Sequence, residues 1–448
     1  MARLFGTDGI RGRAGGDVLT AALAEEVAYA AARELLGDRL ERGERPLVVI
    51  GRDTRPSGPM LEEASYAGFV AAGCDVARLG VVPTPAVAYE VERRAALGLV
   101  ISASHNPAPD NGLKLFAAGG SKLTDAQEDA IEARLGEPRP AVTPGTDVSA
   151  AYGSVRRDYR EDGDPTYAEH LVSTVGTLAG LTVVVDGAQG AASLLAPEVY
   201  RRAGATVVAL HCDADGERIN DGCGATHPES LAAAVVEHGA DLGVAHDGDA
   251  DRCILVDASG TILNGDQVLG LLALARKDAG LPASDVLVAT VMSNLGLTRA
   301  MEQAGIEVVR TAVGDRYVLE AMLAGGHRLG GEQSGHVVLL DHATTGDGLL
   351  TAMQVMDRMV RTGRSLADLA GAVTLLPQVL VNVFADRDRA KAPDVLAAVA
   401  AEEEHLAGAG RVLLRPSGTE ALVRVMVEAP TQDEAEAVAA RLAAVVGF

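Results

Sequence analysis

Three segments of this 448-residue chain repeat one pattern, and the repeat constrains the fold more than any other feature of the sequence. Each segment begins with a β-branched run and a polar or Gly-containing turn. It continues with an amphipathic stretch that ends in Ala-Gly, and it closes with a second β-branched run. The paired runs are 47–58 with 71–80, 181–190 with 202–210, and 285–294 with 303–314. Such a unit predicts two parallel strands joined by a helix.

The Ala-Gly pairs place Gly73, Gly204 and Gly305 where helices usually end. Roughly 130 residues separate the first two of these glycines and roughly 100 the last two, which leaves room for a domain around each unit. We therefore expect three related α/β domains with mixed or parallel sheets. The alternative is one large α/β sheet in which the Ala-Gly turns recur by coincidence.

The C-terminal part of the chain follows a different order of elements, β-α-β-β-α, which predicts a smaller α+β domain. Its predicted elements are a strand at 378–386, a helix from about 393 to 405, two strands around 415–420 and a helix from about 432 to 446. The candidate linkers are 137–165, the turn at 259–260 and the stretch 372–377. The predicted domains are 1–150, 151–257, 258–372 and 373–448.

The composition limits the partners of such a chain. A formal net charge of −23 argues against nucleic acid and against an anionic membrane surface, because phosphates attract clusters of Lys and Arg. The four cysteines form no CxxC pair, which argues against structural zinc and favours reduced thiols in a cytoplasmic protein. The N-terminus lacks the apolar stretch of a signal peptide, and no run approaches the roughly 18 apolar residues of a membrane helix.

The segment HDGDADR is the strongest candidate for chemistry, and it follows the apolar run ADLGVA at a predicted strand exit. Asp247, Asp249 and Asp251 alternate, so in an extended segment their carboxylates point to one side and repel one another unless a hard cation is bound. An EF-hand is excluded because Arg252 and Ala258 replace its Gly and Glu. Three carboxylates that leave room for a phosphate oxygen suit Mg²⁺. The alternative is a solvated acidic turn.

Ser104 also follows a predicted strand, ALGLVISA, and its hydroxyl needs a base or a cation to become nucleophilic. One interpretation is a hydrolase serine with His105 as its base, although sequence neighbours rarely have that geometry and no G-x-S-x-G elbow surrounds it. A second is a serine that carries a phosphoryl group opposite Mg²⁺. A third is a turn serine before Asn-Pro. The triple Asp and the nearby Lys114 favour the second interpretation.

The motif RPSGTE lies between two predicted strands of the small domain and resembles a phosphate cradle. Arg415 offers a planar fork of donors, Ser417 and Thr419 offer hydroxyls, and Gly418 lets backbone amides approach closely. A hairpin turn explains the same residues, so the motif alone leaves both interpretations open.

The motif GGEQSGH combines a carboxylate, a hydroxyl and an imidazole between glycines, as a site for sugar hydroxyls or an ordinary Gly-rich turn would. Two more motifs, GTDGIRG and GRDTRPSG, contribute Arg11, Arg52 and Arg55. Each of these arginines, taken alone, predicts a surface salt bridge.

The motifs together resemble those of the α-D-phosphohexomutases, and within that family most closely the phosphoglucosamine mutases. In chain order they are GTDGIRG (6–12), ISASHNP (101–107), DGDADR (247–252), VGDRYV (313–318), GEQSGH (331–336) and RPSGTE (415–420). The resemblance covers essentially the whole chain, and the ordered set is highly specific. VGDRYV, GEQSGH and NDGCGATHPE favour phosphoglucosamine mutases over phosphomannomutase/phosphoglucomutases, which share the serine, metal and phosphate loops. One small departure is Ala250, where the family also commonly has Gly.

The resemblance implies four domains around one central cleft, each contributing one loop. The implied roles are phosphoserine for Ser104, Mg²⁺ ligation for Ser104, Asp247, Asp249 and Asp251, sugar binding for Glu332 and Ser334, phosphate binding for Arg415, Ser417, Gly418 and Thr419, and help with proton transfer and charge for Arg11, Lys114 and His336.

The implied reaction is a two-step phosphoryl transfer. Phospho-Ser104 gives its phosphoryl group to a hexosamine 6-phosphate, a 1,6-bisphosphate turns over within the cleft, and the 6-phosphoryl group returns to Ser104. The implied cofactors are one Mg²⁺ per chain and glucosamine or glucose 1,6-bisphosphate as intermediate and activator. Such an enzyme would serve amino-sugar metabolism and peptidoglycan precursor synthesis in the cytoplasm, and a homodimer is its candidate assembly.

Two rivals to this activity remain. A phosphomannomutase/phosphoglucomutase would use the same serine and metal loop on other sugar phosphates. A sugar-phosphate-binding regulator on an inactive scaffold is disfavoured because Ser104 and all three Asp are present.

Overall fold

A computed structural model describes residues 3–6, 8–139, 166–416 and 421–447. Most of the candidate linker 137–165 and three of the candidate phosphate-binding residues, Ser417, Gly418 and Thr419, lie outside the described residues. None of the helices within these ranges combines the length and the apolar character that a membrane crossing requires.

The first region builds a six-stranded mixed sheet in the order β1-β5-β4-β2-β3, with β6 paired to β5. Its elements are β1 (Ile10–Arg13), α1 (Ala21–Leu35), α2 (Gly37–Glu41), β2 (Leu47–Arg52), α3 (Gly58–Ala72), β3 (Asp75–Val81), α4 (Thr84–Arg93), β4 (Leu97–Ile101), β5 (Asp110–Ala117), β6 (Ser121–Lys122) and α5 (Asp125–Ala133). Strand β2 pairs in parallel with β3 and β4, whereas β5 pairs antiparallel with β1, β4 and β6.

The second region builds a five-stranded sheet in the order β11-β10-β9-β7-β8. Its elements are α6 (Tyr167–Ser173), β7 (Thr182–Asp186), α7 (Ala192–Arg202), β8 (Thr206–Leu210), α8 (Glu229–His238), β9 (Leu242–His246), β10 (Cys253–Asp257) and β11 (Ile262–Leu263). Strands β10 and β11 pair with each other across the turn at 259–260. That turn, which the sequence presents as a linker, is therefore a hairpin within one sheet.

The third region builds a four-stranded sheet in the order β13-β12-β14-β15. Its elements are α9 (Gly265–Asp278), β12 (Val286–Thr290), α10 (Leu295–Gln303), β13 (Glu307–Thr311), α11 (Asp315–Gly325), β14 (Leu329–Gly331), β15 (Val337–Leu339), α12 (Gly348–Thr362) and α13 (Leu366–Ala370).

These three sheets share one topology, which confirms the predicted three related α/β domains. Each contains a parallel triplet, β3-β2-β4, β8-β7-β9 or β13-β12-β14, and its third strand continues into an antiparallel neighbour, β5, β10 or β15. The continuous apolar runs of the central strands are typical of parallel strands covered on both faces. Gly73, Gly204 and Gly305 end the connecting helices with φ of 99°, 109° and 66°, a backbone geometry that glycine adopts without strain.

The C-terminal region confirms the predicted smaller α+β domain. Its elements are β16 (Gln378–Phe384), α14 (Pro393–Leu406), β17 (Arg411–Pro416), β18 (Leu422–Glu428) and α15 (Gln432–Val446), with an antiparallel sheet in the order β16-β18-β17. A buried ion pair fixes it to the third region: Arg411 Nε lies 2.8 Å from Glu428 Oε2, Glu428 accepts from Leu295 N at 2.8 Å, and Arg411 donates to Val291 O at 3.0 Å.

The core is built from small and aliphatic side chains, in keeping with the 3% aromatic content. One apolar cluster extends from the second sheet into the third, and helix α12 contributes Leu349, Met353 and Met356 to it. In the first region α1 packs so closely on α3 that a Cβ on Gly68 would lie 2.2 Å from Glu25 O. Dense packing of this kind sets the relative positions of the strand ends that carry the polar loops.

Candidate active site

Equivalent positions in the three related sheets carry the polar loops. Ser104 lies in the connection from β4 to β5, the three Asp of the DGDADR segment lie between β9 and β10, and Glu332 lies between β14 and β15. In each case the loop leaves the third strand of the parallel triplet, at the carboxyl end where α/β sheets bind ligands. The repeat therefore places three different sets of polar side chains at the same end of the equivalent strand in each sheet.

The DGDADR loop gathers three buried carboxylates. Ligand oxygens of Asp247, Asp249 and Asp251 lie within 4.8 Å of one another, and these residues are at most 2% exposed. Ala250 lies between them with φ of 57°, in the left-handed region where a glycine would be free of strain. This explains in physical terms why glycine is common at the position in the resembled family.

The donor set fits a hard divalent cation. Burial, followed by the charges of Asp249 and Asp251, raises the pKa of Asp247 to about 8, so the trio cannot hold three negative charges comfortably by itself. Asp249 Oδ1 and Asp251 Oδ1 are buried and accept no hydrogen bond. Buried carboxylate oxygens that accept no hydrogen bond are the kind of ligand that Mg²⁺ prefers.

Ser104 lies directly against this trio. Its Oγ donates to Asp247 Oδ2 at 2.7 Å, and the residue is fully buried. Its φ of 52° is uncommon for a non-glycine residue, and such strained positions cluster at functional sites. The structure therefore brings together the two strongest sequence candidates, which are 143 residues apart in the chain.

His105 is poorly placed as a base for Ser104. Its Nδ1 lies 3.4 Å from Ser104 Oγ and also 3.2 Å from Arg252 Nη1. Burial and the charge of Arg252 lower the pKa of His105 to about 4, which makes it a weak base. The shorter contact of the serine is to a carboxylate of the trio, which favours the phosphoryl-carrier interpretation over the hydrolase.

Arg55 holds the Ser104 loop, and the prediction that it forms a surface salt bridge is wrong. Its side chain is fully buried, with Nε 2.8 Å from Asp53 Oδ2. The guanidinium also donates to backbone carbonyls of the loop, those of Ser104 (2.9 Å), Asn106 (2.7 Å), Asp110 (2.9 Å) and Pro107. A planar five-donor fork suits this task, because it can satisfy several carbonyls at once.

Further polar contacts join the first and second regions around the site. Asn220 Nδ2 donates to Ser104 O at 2.9 Å, and Thr84 Oγ1 donates to Asp249 Oδ2 at 2.7 Å. Thr84 N also donates to Asp249 O at 2.9 Å. Each loop is therefore held by a residue of the other region.

Lys114, on β5, supplies the nearest positive charge. Its Nζ lies 2.8 Å from Asp249 Oδ2, 2.9 Å from Asp8 Oδ2 and 3.6 Å from Asp251 Oδ2. Burial opposes its charge, but the carboxylates of Asp249 and Asp8 raise the pKa of Lys114 above its ordinary value, so it stays a cation. Arg11 pairs with Asp8, the carboxylate that Lys114 also contacts.

His336 reaches the trio from the third region. Its Nδ1 lies 3.7 Å from Asp251 Oδ2 and its Nε2 lies 3.8 Å from Asp315 Oδ2. Burial acts against protonation, yet the carboxylate of Asp251 raises the pKa of His336 above its ordinary value. The ring is therefore a buried group that can hold a proton beside the carboxylates.

Glu332 and Ser334 lie in the same loop as His336 and are partly accessible. Glu332 Oε1 accepts from Gly314 N at 3.0 Å, and Ser334 Oγ lies 3.5 Å from Glu332 Oε2. Cys253 N donates to Gly335 O at 3.1 Å, which ties this loop to the strand that follows the DGDADR segment. The carboxylate and hydroxyl are thus available to a polar ligand near the trio.

Arg415, at the end of β17, is the described residue of the RPSGTE motif that can bind an anion. Burial and the charge of Arg424 lower its pKa, and Glu332 partly offsets this, which places the Glu332 carboxylate within electrostatic reach of Arg415. Ser417, Gly418 and Thr419 lie outside the described residues, so their predicted phosphate contacts stay a prediction.

A second trio of ligand types, Asp186, His211 and Cys223, also lies within 4.8 Å. Both oxygens of Asp186 already accept backbone hydrogen bonds, Oδ1 from Ala188 N at 2.8 Å and Oδ2 from Gly224 N at 2.9 Å. These bonds explain the buried Asp as a structural residue. All four cysteines are free thiols.

Six residues around the site either were not identified from the sequence or were given an incorrect role. They are Asp8, Arg55, Thr84, Lys122, Asn220 and Asp315. Asp8, Arg55 and Asp315 lie in quoted motifs, so their position next to glycine-containing turns could have identified them. Asn220 also begins a quoted motif, NDGCGATHPE, whereas Thr84 and Lys122 carry no such signal.

Comparisons with known proteins agree across the chain. Four domain families match: phosphoglucomutase/phosphomannomutase alpha/beta/alpha domain I at residues 2–140, domain II at 165–260, domain III at 264–375, and the C-terminal domain at 380–445. A protein of Parafrankia sp. named phosphoglucosamine mutase is 60% identical, with 100% of this chain and 99% of that protein covered.

Solved structures show the same architecture. A phosphoglucomutase/phosphomannomutase family protein of Burkholderia thailandensis has a TM-score of 0.79 at 25% identity, with 99% of this chain and 97% of that chain covered. An N-acetylphosphoglucosamine mutase of Aspergillus fumigatus, solved with GlcNAc-6P and magnesium, has a TM-score of 0.63 at 19% identity, with 92% and 86% covered. The latter likeness concerns the fold alone.

Replacing Arg55 with Lys should loosen the Ser104 loop. A lysine keeps the charge next to Asp53 but cannot reach the loop carbonyls with one ammonium group. We expect backbone amides of residues 104–110 to exchange at least about tenfold faster with deuterium. Arg45→Lys, at an exposed arginine 2.5 Å from Asp75, is the matched control and should leave this exchange unchanged. Equal exchange in Arg55→Lys and the parent protein would refute the clamp.

Replacing Asp249 with Asn should weaken magnesium binding. Asparagine keeps the shape but removes one of three ligand charges, on which the affinity for hard cations depends. We expect the dissociation constant for Mg²⁺, measured by titration calorimetry, to rise at least about tenfold. Asp221→Asn, at an exposed aspartate of the same region, serves as control. An unchanged affinity in Asp249→Asn would contradict the metal site.

Proposed function

Since the chain belongs to the phosphoglucosamine mutases of the phosphoglucomutase/phosphomannomutase family, we propose that it interconverts glucosamine 6-phosphate and glucosamine 1-phosphate through phospho-Ser104. The observation that carries the proposal is the 2.7 Å contact between Ser104 Oγ and the buried Asp247 of the DGDADR trio. A serine so placed is suited to carry a phosphoryl group next to a bound cation.

In the first step the phosphoryl group leaves Ser104 Oγ and forms a bond to the 1-hydroxyl of glucosamine 6-phosphate, whose proton passes to a group of the site. The resulting 1,6-bisphosphate turns end for end. Its 6-phosphoryl group then returns to Ser104 Oγ, and the proton held by the site passes to the 6-oxygen. This step yields glucosamine 1-phosphate and restores the phosphoserine. The 1,6-bisphosphate of glucosamine or glucose would also phosphorylate a bare Ser104, which makes it an activator.

The residues around Ser104 fit this chemistry. Mg²⁺ held by Asp247, Asp249, Asp251 and the phosphoserine would offset the charge of the transferring phosphoryl group. Lys114 adds a fixed positive charge where that charge develops, with no need to reorganise during the reaction. Arg11 and His336 are the other proposed helpers in charge stabilisation and proton transfer.

The remaining loops would orient the sugar phosphate. Glu332 and Ser334 would accept from and donate to sugar hydroxyls. Arg415, together with Ser417, Gly418 and Thr419, would bind the phosphate that does not react. A phosphate anchor of this kind would allow either end of the bisphosphate to reach Ser104.

The proposal also covers the domain boundaries, the number of metal ions, the location and the assembly. We propose that four domains, predicted from the sequence as 1–150, 151–257, 258–372 and 373–448, each contribute one of these loops, and that one Mg²⁺ binds per chain. The pairing of β10 with β11 moves the boundary between the second and third domains beyond residue 263. A cytoplasmic location and a homodimer stay predictions.

A preference for glucosamine phosphate tests the proposal against its rival, a phosphomannomutase/phosphoglucomutase. The rival is favoured by the Burkholderia thailandensis structure and by the names of the domain families. We expect kcat/KM, measured with Mg²⁺ and catalytic bisphosphate, to favour glucosamine over glucose and mannose phosphates at least about tenfold, about 1.4 kcal/mol. A preference for glucose or mannose phosphate would keep the role of Ser104 and overturn the choice of substrate.

Replacing Ser104 with Ala should abolish the reaction, because no oxygen remains to carry the phosphoryl group. We expect kcat to fall at least about a thousandfold, while the circular dichroism spectrum and melting temperature stay close to those of the parent. Ser173→Ala, at an exposed serine whose hydroxyl donates to His170 O at 2.7 Å, is the control. Turnover by Ser104→Ala at the parent rate would exclude the phosphoserine mechanism.

A further inference from the structure

Lys122 lies outside every motif of the chain, yet it bridges two carboxylates from different regions of the fold. It is the last residue of β6, and its side chain is 9% exposed. Its Nζ lies 2.7 Å from Asp8 Oδ1, and it also pairs with Asp315, in the first turn of α11. Lys122 therefore connects the first region to the third.

Each of these two carboxylates also faces a group of the proposed active site. Asp8 Oδ2 lies 2.9 Å from Lys114 Nζ, and Asp315 Oδ2 lies 3.8 Å from His336 Nε2. Lys114 and His336 in turn both approach Asp251 Oδ2, at 3.6 Å and 3.7 Å.

The contacts close into a ring in which carboxylates and nitrogen groups alternate. The ring runs Asp251, Lys114, Asp8, Lys122, Asp315, His336 and back to Asp251. It passes through all three α/β regions, since Lys122 and Lys114 belong to the first, Asp251 to the second and His336 to the third.

The buried setting makes the loss of one partner of the bridge costly. Burial opposes the charge of Lys122, but the carboxylates of Asp315 and Asp8 raise its pKa above the ordinary value, so it remains a cation. Removing a buried cation takes one positive partner from each of its carboxylates, which is far more disruptive than loss of a surface pair.

Further contacts join the first and third regions next to Lys122, and we call this boundary the seam. Arg316, next to Asp315, lies 2.6 Å from Glu128 and also pairs with Asp125, both on α5. Thr344 Oγ1 donates to Gly120 O at 2.7 Å. Lys122, Arg316 and Thr344 thus each form a contact across the seam between the two regions. Of these three residues, Lys122 is the one whose partners also contact groups of the proposed active site.

We propose that Lys122 is a positioning residue: by binding Asp8 and Asp315 it holds Lys114 and His336 on the two sides of Asp251, and keeps the sugar-binding loop close to the Ser104 loop while the bisphosphate turns. The inference rests on the proposed function for its kinetic consequence, but the geometry of the bridge does not depend on it.

Lys122→Met, which keeps most of the length of the side chain and removes the charge, tests the proposal. We expect kcat to fall at least about tenfold while KM for the sugar phosphate changes less than about threefold, because alignment and not ground-state binding is lost. We also expect more labelled bisphosphate to escape into solution per turnover, and a greater requirement for added glucose 1,6-bisphosphate. Lys122→Arg should recover part of both losses.

The control is Lys277→Met, which removes a lysine that also bridges two groups, Ala304 O and Gly305 O, but lies on the outer part of the third region. Its kcat and the fraction of bisphosphate that escapes per turnover should equal those of the parent protein. Parental kcat and retention in a folded Lys122→Met variant would overturn the proposal. If Lys122→Met does not fold, Asp315→Asn replaces it, since this change keeps the Asp8 pair, and parental retention there would count equally against the bridge.

A structural readout separates this inference from the proposed function. Wild-type turnover on glucosamine phosphate reports on the function alone. Deuterium exchange at residues 313–318 reports on the bridge in the absence of any substrate. We expect exchange there to be at least about tenfold faster in Lys122→Met than in Lys277→Met. Equal exchange in the two variants would refute the bridge even in an active enzyme.

Discussion

The burial of three carboxylates within 4.8 Å of one another is the constraint on which the rest of the structure depends. In a medium of low polarity such charges repel strongly, and burial together with that repulsion raises the pKa of Asp247 to about 8. The chain offsets it with Lys114 from the first region and His336 from the third. The need to offset these negative charges therefore brings the domains together. A bound Mg²⁺ would complete the charge balance, and the proposed reaction requires the same ion.

The net charge of −23 agrees with this arrangement once the charges are located. Lys114, Lys122 and Arg55 are buried or nearly so around the candidate site, each between carboxylates or carbonyls. A site lined in this way attracts an anionic sugar phosphate. Fixed positive charges in a closed site also act on a transferring phosphoryl group without reorganising, which is where electrostatic catalysis gains most.

The sequence predicted the parts of the molecule that depend on local pattern. The repeat of β-branched runs and Ala-Gly turns predicted three related sheets, and the alternation of Asp247, Asp249 and Asp251 predicted their convergence. It could not predict the role of Arg55, because a fully buried arginine and an exposed one look alike in a linear motif. Nor could it find Lys122, whose partner Asp315 is 193 residues away. Pairings at such distances are set by how the sheets pack, and the phosphate contacts of 417–419 stay a prediction.

The most direct test of the central claim is whether a phosphate on Ser104 and a metal on the three Asp share one centre. The ³¹P resonance of the phosphorylated protein should be recorded with Mg²⁺ and then with Mn²⁺, whose unpaired electrons broaden nearby signals. The account predicts a phosphoserine resonance that is sharp with Mg²⁺ and broadened beyond detection by one equivalent of Mn²⁺, and that stays sharp in Asp249→Asn at the same metal concentration. A phosphoserine signal unaffected by bound Mn²⁺ would place the metal elsewhere and contradict the account.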